Sequence, residues 1–284
     1  MTAPISDFLR SRRARLSPRD VGLADYGRRR VPGLRREEVA QLAGVSTDYY
    51  IRLEQGRGRQ VSDSVLDAVS RALRLNPTEH AYLHDLARPQ RATGRGRQPI
   101  RSGVRRMLDS MHDVPAIVVD YRMVIAGANA LGDAVFGLTD DPHSRDRARQ
   151  FFLDPASRTF FPDWETDAEI VAAELRVQAA RHPGDQWLAA LIRELSDRSA
   201  EFRAVWADHA VREKTQGLKR IDHPVVGELV FTYERLDLAD DDEQSLIAYT
   251  AEPGSPTAER LAVLASWAAA DNSYDPATHR PASD

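Results

Sequence analysis

The chain has 284 residues, which is longer than one small domain and fits two domains of about 100 to 200 residues. It contains no cysteine, which excludes disulfides, thiolate metal sites and cysteine nucleophiles. The net charge of −4 combines two unlike parts, because residues 1–106 hold 22 Arg against 11 Asp or Glu, a balance of +11, and the rest carries −15. This asymmetry fits a basic nucleic-acid-binding module joined to an acidic domain that stays off the phosphates.

The N-terminal segment, MTAPISDFLRSRRARL, places its arginines after its few apolar residues, which is unlike a secretory signal. No apolar run approaches the roughly 18 residues that a membrane helix needs. We therefore expect a cytoplasmic protein that makes no membrane contact. The eight histidines are interpreted as scattered, so we expect no metal site, and no motif predicts a cofactor.

Composition divides the chain into four segments. Residues 88–101, RPQRATGRGRQPIR, combine two prolines, two glycines and several arginines, which is typical of a flexible basic linker. We therefore predict a first domain at 1–88, a linker at 89–101, a second domain at 102–270 and a flexible tail at 271–284.

Five helix signals lie in the first domain. Ser46 and Asn76 are N-capping residues, and Asn76 is followed by proline and, at the third helical position, by glutamate, the arrangement of a capping box. Gly44 and Gly56 indicate helix ends, since glycine adopts the left-handed conformation that closes a helix. The predicted helices lie around Phe8–Leu16, Leu34–Ala43, Ser46–Glu54, Ser62–Leu73 and from Asn76 onward.

Two of these helices are joined by the tight turn Ala43-Gly44-Val45-Ser46, within the segment EEVAQLAGVSTDYYIRLEQG. This segment resembles the helix-turn-helix of the Xre and phage-repressor class. The resemblance implies sequence-specific binding to a double-stranded DNA operator, and it implies an internal ion pair between Arg13 and Glu54. An unrelated helical hairpin is the alternative.

The third helix is the one expected to enter the major groove. Tyr50 and Leu53 are three residues apart and share its inward face. The DNA base-reading candidates on the outward face are therefore Thr47, Asp48 and Arg52. Arg52 can form two parallel hydrogen bonds with guanine, and Thr47 can donate, accept or contact a thymine methyl. Asp48 either accepts from cytosine, complements the helix dipole or holds Arg52 in place.

Phosphate contacts are expected from basic residues and from helix N-termini. An insertion between the first two helices adds three consecutive arginines, which either follow the DNA backbone, enter a minor groove or belong to a solvated loop. The DNA phosphate candidates are Arg35, Arg36, Ser46, Arg57, Arg59, Arg28, Arg29 and Arg30.

The second domain alternates strands and helices. Strands are predicted at 116–119, 123–125, 227–236 and 246–250, and their short connections favour a mostly antiparallel sheet. Helices are predicted between the two strand groups, at about 168–180, 186–195 and 200–210.

The segments YRMVIAGANALGDAVFG, FFLDPASRTFFPDWE, VVGELVFTYERLDL and YTAEPGS resemble the ligand-binding domain of MmyB-like regulators. This resemblance implies a PAS-like fold and a small amphiphilic ligand such as a fatty acid. One departure is Ala128-Asn129-Ala130, which stands where many relatives have Trp-Asn-Pro. The predicted fold class is therefore a five-helix, all-α helix-turn-helix domain followed by an α+β, PAS-like antiparallel sheet domain.

Several side chains of the second domain combine a polar tip with apolar surroundings. Phe202, Val205, Trp206 and His209 follow the spacing of one helical stripe. His209 is either a satisfied core residue or the cationic partner of a carboxylate head group. The ligand-binding candidates are Trp206, His209, His223, Tyr233, Tyr249 and Asn129.

The second domain has two alternatives to the sensing of a small ligand. An enzyme fused to a DNA-binding domain is disfavoured, because the sequence contains no nucleophile elbow, phosphate loop or dinucleotide fingerprint. A protein-interaction or dimerisation module without a small ligand stays open. Helix-turn-helix repressors bind DNA as two-fold dimers, so we expect a homodimer.

Overall fold

The computed structural model describes residues 4–23, 33–57, 61–88, 99–139, 142–211, 215–239 and 243–273. In chain order, the helices and strands are α1 (Pro4–Arg15), α2 (Arg36–Ala43), α3 (Thr47–Glu54), α4 (Asp63–Ala72), α5 (Pro77–Ala87), α6 (Ser102–Ser110), β1 (Ala116–Asp120), β2 (Ile125–Ala128), α7 (Ala130–Phe136), α8 (Arg147–Leu153), α9 (Ser157–Phe160), α10 (Trp164–Arg181), α11 (Gln186–Arg198), α12 (Ala200–Ala207), β3 (Gln216–His223), β4 (Gly227–Asp237), β5 (Gln244–Thr250) and α13 (Pro256–Ser273).

These elements form two units. The helical unit combines residues 1–94 with 169–196 and 200–213, and the sheet unit combines the remaining residues. Most of α10, most of α11 and all of α12 therefore belong with the N-terminal helices, although the sequence places them in the segment predicted as the second domain. Val177 and Ala180 of α10, together with Val211 after α12, complete a core whose other buried members lie more than 90 positions earlier, which sequence spacing cannot show.

The core of the helical unit unites residues from both parts of the chain. Phe8 of α1, Val39 of α2 and Tyr50 of α3 are buried in it. Val177 and Ala180 of α10 pack into the same cluster. The apolar face of each short helix is thus covered by its neighbours, since helices of this length depend on tertiary packing for their stability.

Local signals set most of the helix boundaries. The side chain of Asn76 accepts from the Glu79 amide at 2.9 Å, and the Glu79 carboxylate accepts from the Asn76 amide at 3.1 Å, which confirms the predicted capping box. Helix α2 begins at Arg36 rather than at Leu34. The amide of Leu34 donates to the Arg13 carbonyl at 3.0 Å and is therefore not part of the helix.

The sheet unit contains one five-stranded antiparallel sheet in the order β2-β1-β5-β4-β3. Ile117 and Val119 of β1 lie on one face with Ile247, against α7 and α13. Ala116 and Val118 lie on the other face, against α6. A helical part followed by an α+β part with an antiparallel sheet confirms the predicted fold class.

Four elements of the sheet unit were not predicted. Helices α8, α9 and α13 were missed, and so was β3. In β3 only Ile221 and His223 are buried, while Leu218 faces solvent with 69% exposure, so the strand lacks an alternating apolar pattern. The second predicted strand, at 123–125, is also displaced, because Met123 occupies a turn with φ +64° and β2 begins at Ile125.

Candidate nucleic-acid interface and ligand-binding site

The turn between α2 and α3 is a short, internally bonded connection. Gly44 adopts φ +65°, and its amide donates to the carbonyls of Ala40 and Gln41. The amide of Val45 also donates to the Ala40 carbonyl, at 3.0 Å. The hydroxyl of Ser46 then accepts from the Tyr49 amide at 3.2 Å and caps α3. This geometry confirms the helix, turn and helix predicted from the sequence.

Helix α3 is anchored by its inward face. Tyr50 and Leu53 are 0% and 2% exposed, and burial raises the pKa of the Tyr50 phenol. Glu54 is also buried, and it accepts from Arg13 Nε at 3.0 Å and from Arg36 Nε at 2.8 Å. The predicted ion pair of Arg13 with Glu54 is thus present, with Arg36 as a second partner. These contacts fix which side of α3 faces the core and which side faces outward.

The outward face of α3 presents Thr47, Asp48 and Arg52, which are all exposed. Within the residues that the structure describes, none of these side chains forms a hydrogen bond or an ion pair with another residue. The guanidinium of Arg52 lies 6.0 Å from the ring centre of Tyr49. The proposed alternative in which Asp48 holds Arg52 is therefore not formed, and both groups are presented to solvent.

The predicted phosphate-binding residues occupy different environments. Arg35 is half exposed, and its side chain lies 3.4 Å from Glu37. Arg57 is exposed just after α3. Arg36, in contrast, is engaged with the buried carboxylate of Glu54, so a phosphate would compete with that ion pair. Four of the predicted residues lie outside the described part of the chain, namely Arg28, Arg29, Arg30 and Arg59.

In the sheet unit, Asn129 has a structural role. Its side-chain oxygen accepts from the amides of Ala116 and Gly132 at 3.0 and 2.8 Å. Its amide group donates to the carbonyls of Met111 and Val114 at 2.6 and 2.8 Å. These four bonds use the hydrogen-bonding capacity of the side chain. The prediction that Asn129 binds a ligand is therefore not supported by its geometry.

His223 is also engaged within the fold. It is 8% exposed, and its Nε2 atom lies 3.2 Å from the Ala134 carbonyl. Its Nδ1 atom accepts from the amides of Val225 and Val226, each at 3.3 Å. Both ring nitrogens thus have protein partners, and the imidazole closes the turn between β3 and β4 rather than offering a polar group to a ligand.

Tyr233 and Tyr249 lie together on the face of the sheet that packs against α7 and α13. They are directly paired across β4 and β5, with ring centres 6.1 Å apart. Phe136 and Phe231 lie 4.9 and 5.9 Å from the Tyr249 ring. Tyr249 is buried and Tyr233 is half-buried, so the structure brings these two candidates into one aromatic surface.

Two family comparisons agree with this architecture. Residues 100–264, more than half of the chain, match the MmyB-like transcription regulator ligand binding domain. The chain belongs to the MmyB-like transcription regulators. Residues 5–83 match a helix-turn-helix domain. Among curated proteins, no sequence matches the chain. The protein is therefore a DNA-binding transcription regulator with a ligand-binding domain, and its family is not one of enzymes.

The matched ligand-binding region of this MmyB-like regulator includes α12, yet Trp206 and His209 belong to the helical unit. Helix α12 ends at Ala207 rather than at residue 210. His209 lies beyond it with φ +52°, so it does not continue the helical stripe formed by Phe202 and Trp206. Trp206 and His209 therefore belong to a different unit from the sheet residues with which they were predicted to act.

The surroundings of His209 disfavour a cationic imidazole. Burial, followed by the charge of Arg176, lowers the pKa of His209. The Nδ1 atom lies 3.3 Å from Arg176 Nη1, and the His209 carbonyl accepts from Arg12 at 2.8 Å. A second positive charge at this position would be repelled. The structure thus argues against His209 as the cationic partner of a carboxylate.

Arg12 and Arg176 form a buried basic cluster that the sequence analysis missed. They are 3% and 7% exposed, and burial lowers the pKa of Arg12 to about 10. Glu79 lies 2.9 Å from Arg12, while the Arg176 guanidinium stacks 4.0 Å from the Trp206 ring and donates to the Trp206 carbonyl. The cluster joins α1, α5, α10 and α12. Helical spacing showed only that Arg12 shares a helix with Phe8.

The interpretation of the histidines as scattered was also wrong for one pair. His80 and His84 are four residues apart on α5, a spacing that places two side chains on one helix face. Their nearest acidic neighbour is Asp67 of α4. The spacing alone was sufficient to find this pair.

No helix in the described part of the regulator is long and apolar enough to cross a membrane.

Proposed function

We propose that the regulator reads its operator with Thr47, Asp48 and Arg52 of α3, and that an amphiphilic small molecule with a long apolar part binds its sheet unit. The observation that carries the first part is the anchoring of α3. Tyr50, Leu53 and Glu54 are buried, and the three proposed base-reading side chains are exposed on the outward side of the helix. Thr47 and Asp48 lie in its first turn and Arg52 in its last turn. Such a helix presents its N-terminal side chains to base edges in the major groove.

Phosphate contacts position the helix on the duplex. Arg35 and Arg57 suit this role because they are exposed and flank the helix-turn-helix. Ser46 suits it as well, since its hydroxyl oxygen accepts from Tyr49 and its hydroxyl hydrogen can still donate. Arg36 is proposed as a weaker contributor, because its guanidinium is already paired with Glu54. Arg28, Arg29, Arg30 and Arg59 remain sequence-based proposals.

The ligand proposal rests on the family and on the aromatic surface of Tyr233, Tyr249, Phe136 and Phe231. Aromatic side chains supply a large apolar area, and a tyrosine adds a polar tip. A fatty acid combines an apolar chain with a polar end and suits such a surface. Trp206, His209, His223 and Asn129 are left out of this proposed site, because the first two lie in the helical unit and the last two are hydrogen-bonded within the fold.

A homodimer on a two-fold operator completes the proposal. The helix-turn-helix of one chain covers one half-site, and a second copy about one helical turn away covers the other. Light scattering of the protein with and without operator DNA measures the number of chains in the free protein and in the complex. One chain per operator at saturation would contradict the dimer and leave the base-reading residues unaffected.

Binding-site selection tests the DNA part. We expect Arg52→Ala to relax the preference at one base position, at a cost of about 1 to 3 kcal/mol against the preferred base. Arg35→Ala is the matched control, since it removes the same side chain from a phosphate-facing position and should weaken binding to all sequences alike. Equal losses on specific and random DNA for Arg52→Ala would remove Arg52 from the base-reading set.

Calorimetry of the full chain with medium and long fatty acids tests the ligand part. The full chain is needed because residues 169–196 and 200–213 belong to the helical unit. Tyr233→Glu places a carboxylate on the aromatic surface and should abolish binding. Thr232→Glu is the matched control, because Thr232 is the preceding residue of β4 and is exposed.

Operator affinity is then measured with saturating fatty acid, because a ligand shifts DNA binding only if it distinguishes two states of the protein. No acyl compound bound, or equal binding by both variants, would contradict the proposed site. If no acyl compound binds, the result would favour a protein-interaction domain without a small ligand.

A further inference from the structure

A cluster of metal-ligating side chains lies on two packed helices of the helical unit. Asp67 is on α4, and His80 and His84 are one turn apart on α5. The Nε2 atoms of both histidines approach the same carboxylate oxygen of Asp67, at 2.9 Å for His80 and 3.2 Å for His84. Three potential ligand atoms thus converge from two separate helices.

The size of the cluster suits a first-row divalent metal ion. The three ligand atoms lie within 4.8 Å of one another. Tetrahedral Zn²⁺ with bonds of about 2.0 to 2.1 Å separates its ligand atoms by about 3.3 Å. Small side-chain adjustments therefore convert the observed arrangement into one face of a coordination sphere. Two imidazoles and one carboxylate are also the donor types that Zn²⁺ and its neighbours accept.

A further carboxylate lies close to one of the histidines. Asp63 is one turn before Asp67 on α4, and its Oδ1 atom lies 3.5 Å from His84 Nδ1. Arg88 holds the same carboxylate at 2.9 Å and also donates to the Val61 carbonyl at 2.8 Å. Metal-bound histidines commonly share their second ring nitrogen with a carboxylate in this way.

The arrangement has a consequence for the tautomer of His84. The Asp67 carboxylate only accepts, so both imidazoles donate their Nε2 hydrogens to it, at 2.9 and 3.2 Å. A metal ion bound to the two Nε2 atoms would take the place of these hydrogens, and the remaining hydrogen of His84 would then lie on Nδ1, 3.5 Å from Asp63.

We propose that Asp67, His80 and His84 form a binding site for a divalent transition metal ion of the Zn²⁺ type, with water in the remaining position. Asp63 acts as a positioning residue for His84. The bound ion links α5 to α4, which packs on α2 of the helix-turn-helix, and it stabilises the helical unit. The site is independent of the proposed base-reading residues and of the proposed ligand.

The test uses the full chain without a histidine tag, after removal of metal with a chelator. Co²⁺ is titrated first, because its visible absorption reports nitrogen and oxygen ligands, and Zn²⁺ is then added as a competitor. Zn²⁺ binding is also followed by calorimetry and by the melting temperature. We expect one ion per chain, a visible band that Zn²⁺ removes, and a rise in Tm with Zn²⁺.

Variants locate the site. His80→Gln/His84→Gln should lose the Co²⁺ band and the Zn²⁺-dependent rise in Tm. Asp63→Asn should weaken binding about 10- to 100-fold, as is usual when a second-sphere partner is removed. His112→Gln is the matched control, since His112 is exposed in the sheet unit and should leave binding unchanged.

Circular dichroism without metal establishes that each variant is folded. Unchanged Zn²⁺ affinity in the folded double variant, or no Co²⁺ band in the unmodified protein, overturns the proposal. A folded double variant that no longer binds metal but still binds DNA supports it.

Discussion

Replacing Glu54 by glutamine should destabilise the helical unit, because Glu54 is the buried anion that connects α1, α2 and α3. Its side chain is 1% exposed and lies 3.0 Å from Arg13 Nε and 2.8 Å from Arg36 Nε. Glutamine has nearly the same shape and keeps one accepting oxygen. It removes the negative charge and replaces the other oxygen by an NH2 group, a donor that faces a guanidinium.

The magnitude follows from the exposure of the two arginines. A hydrogen bond to a charged group contributes about 1.5 to 3 kcal/mol, and breaking a buried ion pair costs about 3 to 5 kcal/mol. The Arg36 side chain is 45% exposed, so water can replace its lost partner, whereas Arg13 is 16% exposed and is poorly solvated. We therefore expect Glu54→Gln to lower the free energy of unfolding by about 2 to 4 kcal/mol, chiefly through Arg13.

Urea denaturation followed by circular dichroism measures the change, and hydrogen exchange of peptides from α2 and α3 localises it. Glu37→Gln is the matched control, since the Glu37 side chain is 62% exposed and lies 3.4 Å from Arg35. An exposed pair of this kind contributes about 0 to 1 kcal/mol. Equal losses for the two variants, or a loss below about 1 kcal/mol for Glu54→Gln, would refute the reasoning that a buried ion pair holds α3 in place.

Three other predictions concern DNA binding, pH and packing. Operator affinity should fall steeply with salt, with a logarithmic slope of about −0.9 for each phosphate contact. Arg35→Ala should reduce the magnitude of that slope by about 1. An operator affinity that does not change with salt would contradict the electrostatic account. The pKa of His209 is lowered in the folded protein, so as the pH falls the unfolded chain takes up a proton at this residue before the folded protein does. The stability associated with neutral His209 is therefore complete above the ordinary pKa of about 6.5 and declines as the pH falls below it. His209→Asn tolerates the positive φ and should reduce this decline in urea titrations at several pH values; an unchanged decline would exclude His209 as its source. Gly132→Ala should lower the free energy of unfolding by about 1 to 3 kcal/mol, because the added Cβ would lie 2.6 Å from the Ala116 carbonyl oxygen. Gly103→Ala in α6 is the control and should be stabilising, since its added Cβ meets nothing within 4 Å. A higher melting temperature for Gly132→Ala than for Gly103→Ala would contradict this packing argument.

Local sequence signals were sufficient for the helix-turn-helix. The turn at Gly44, the cap at Ser46 and the capping box at Asn76 depend on residues within a few positions of one another, so their geometry follows from short segments. The outward face of α3 follows in the same way from the spacing of Tyr50 and Leu53. The pair His80 and His84 was equally accessible from spacing, although it was overlooked.

Only the tertiary structure shows the surroundings of the predicted ligand-binding residues. A polar tip in apolar surroundings does not distinguish a ligand contact from an internal hydrogen bond, and Asn129 and His223 proved to be bonded within the fold. His209 meets Arg12, which precedes it by 197 positions, and α10 joins a core begun by α1. Such partners are set by packing between distant segments, which the periodicity of either segment cannot specify.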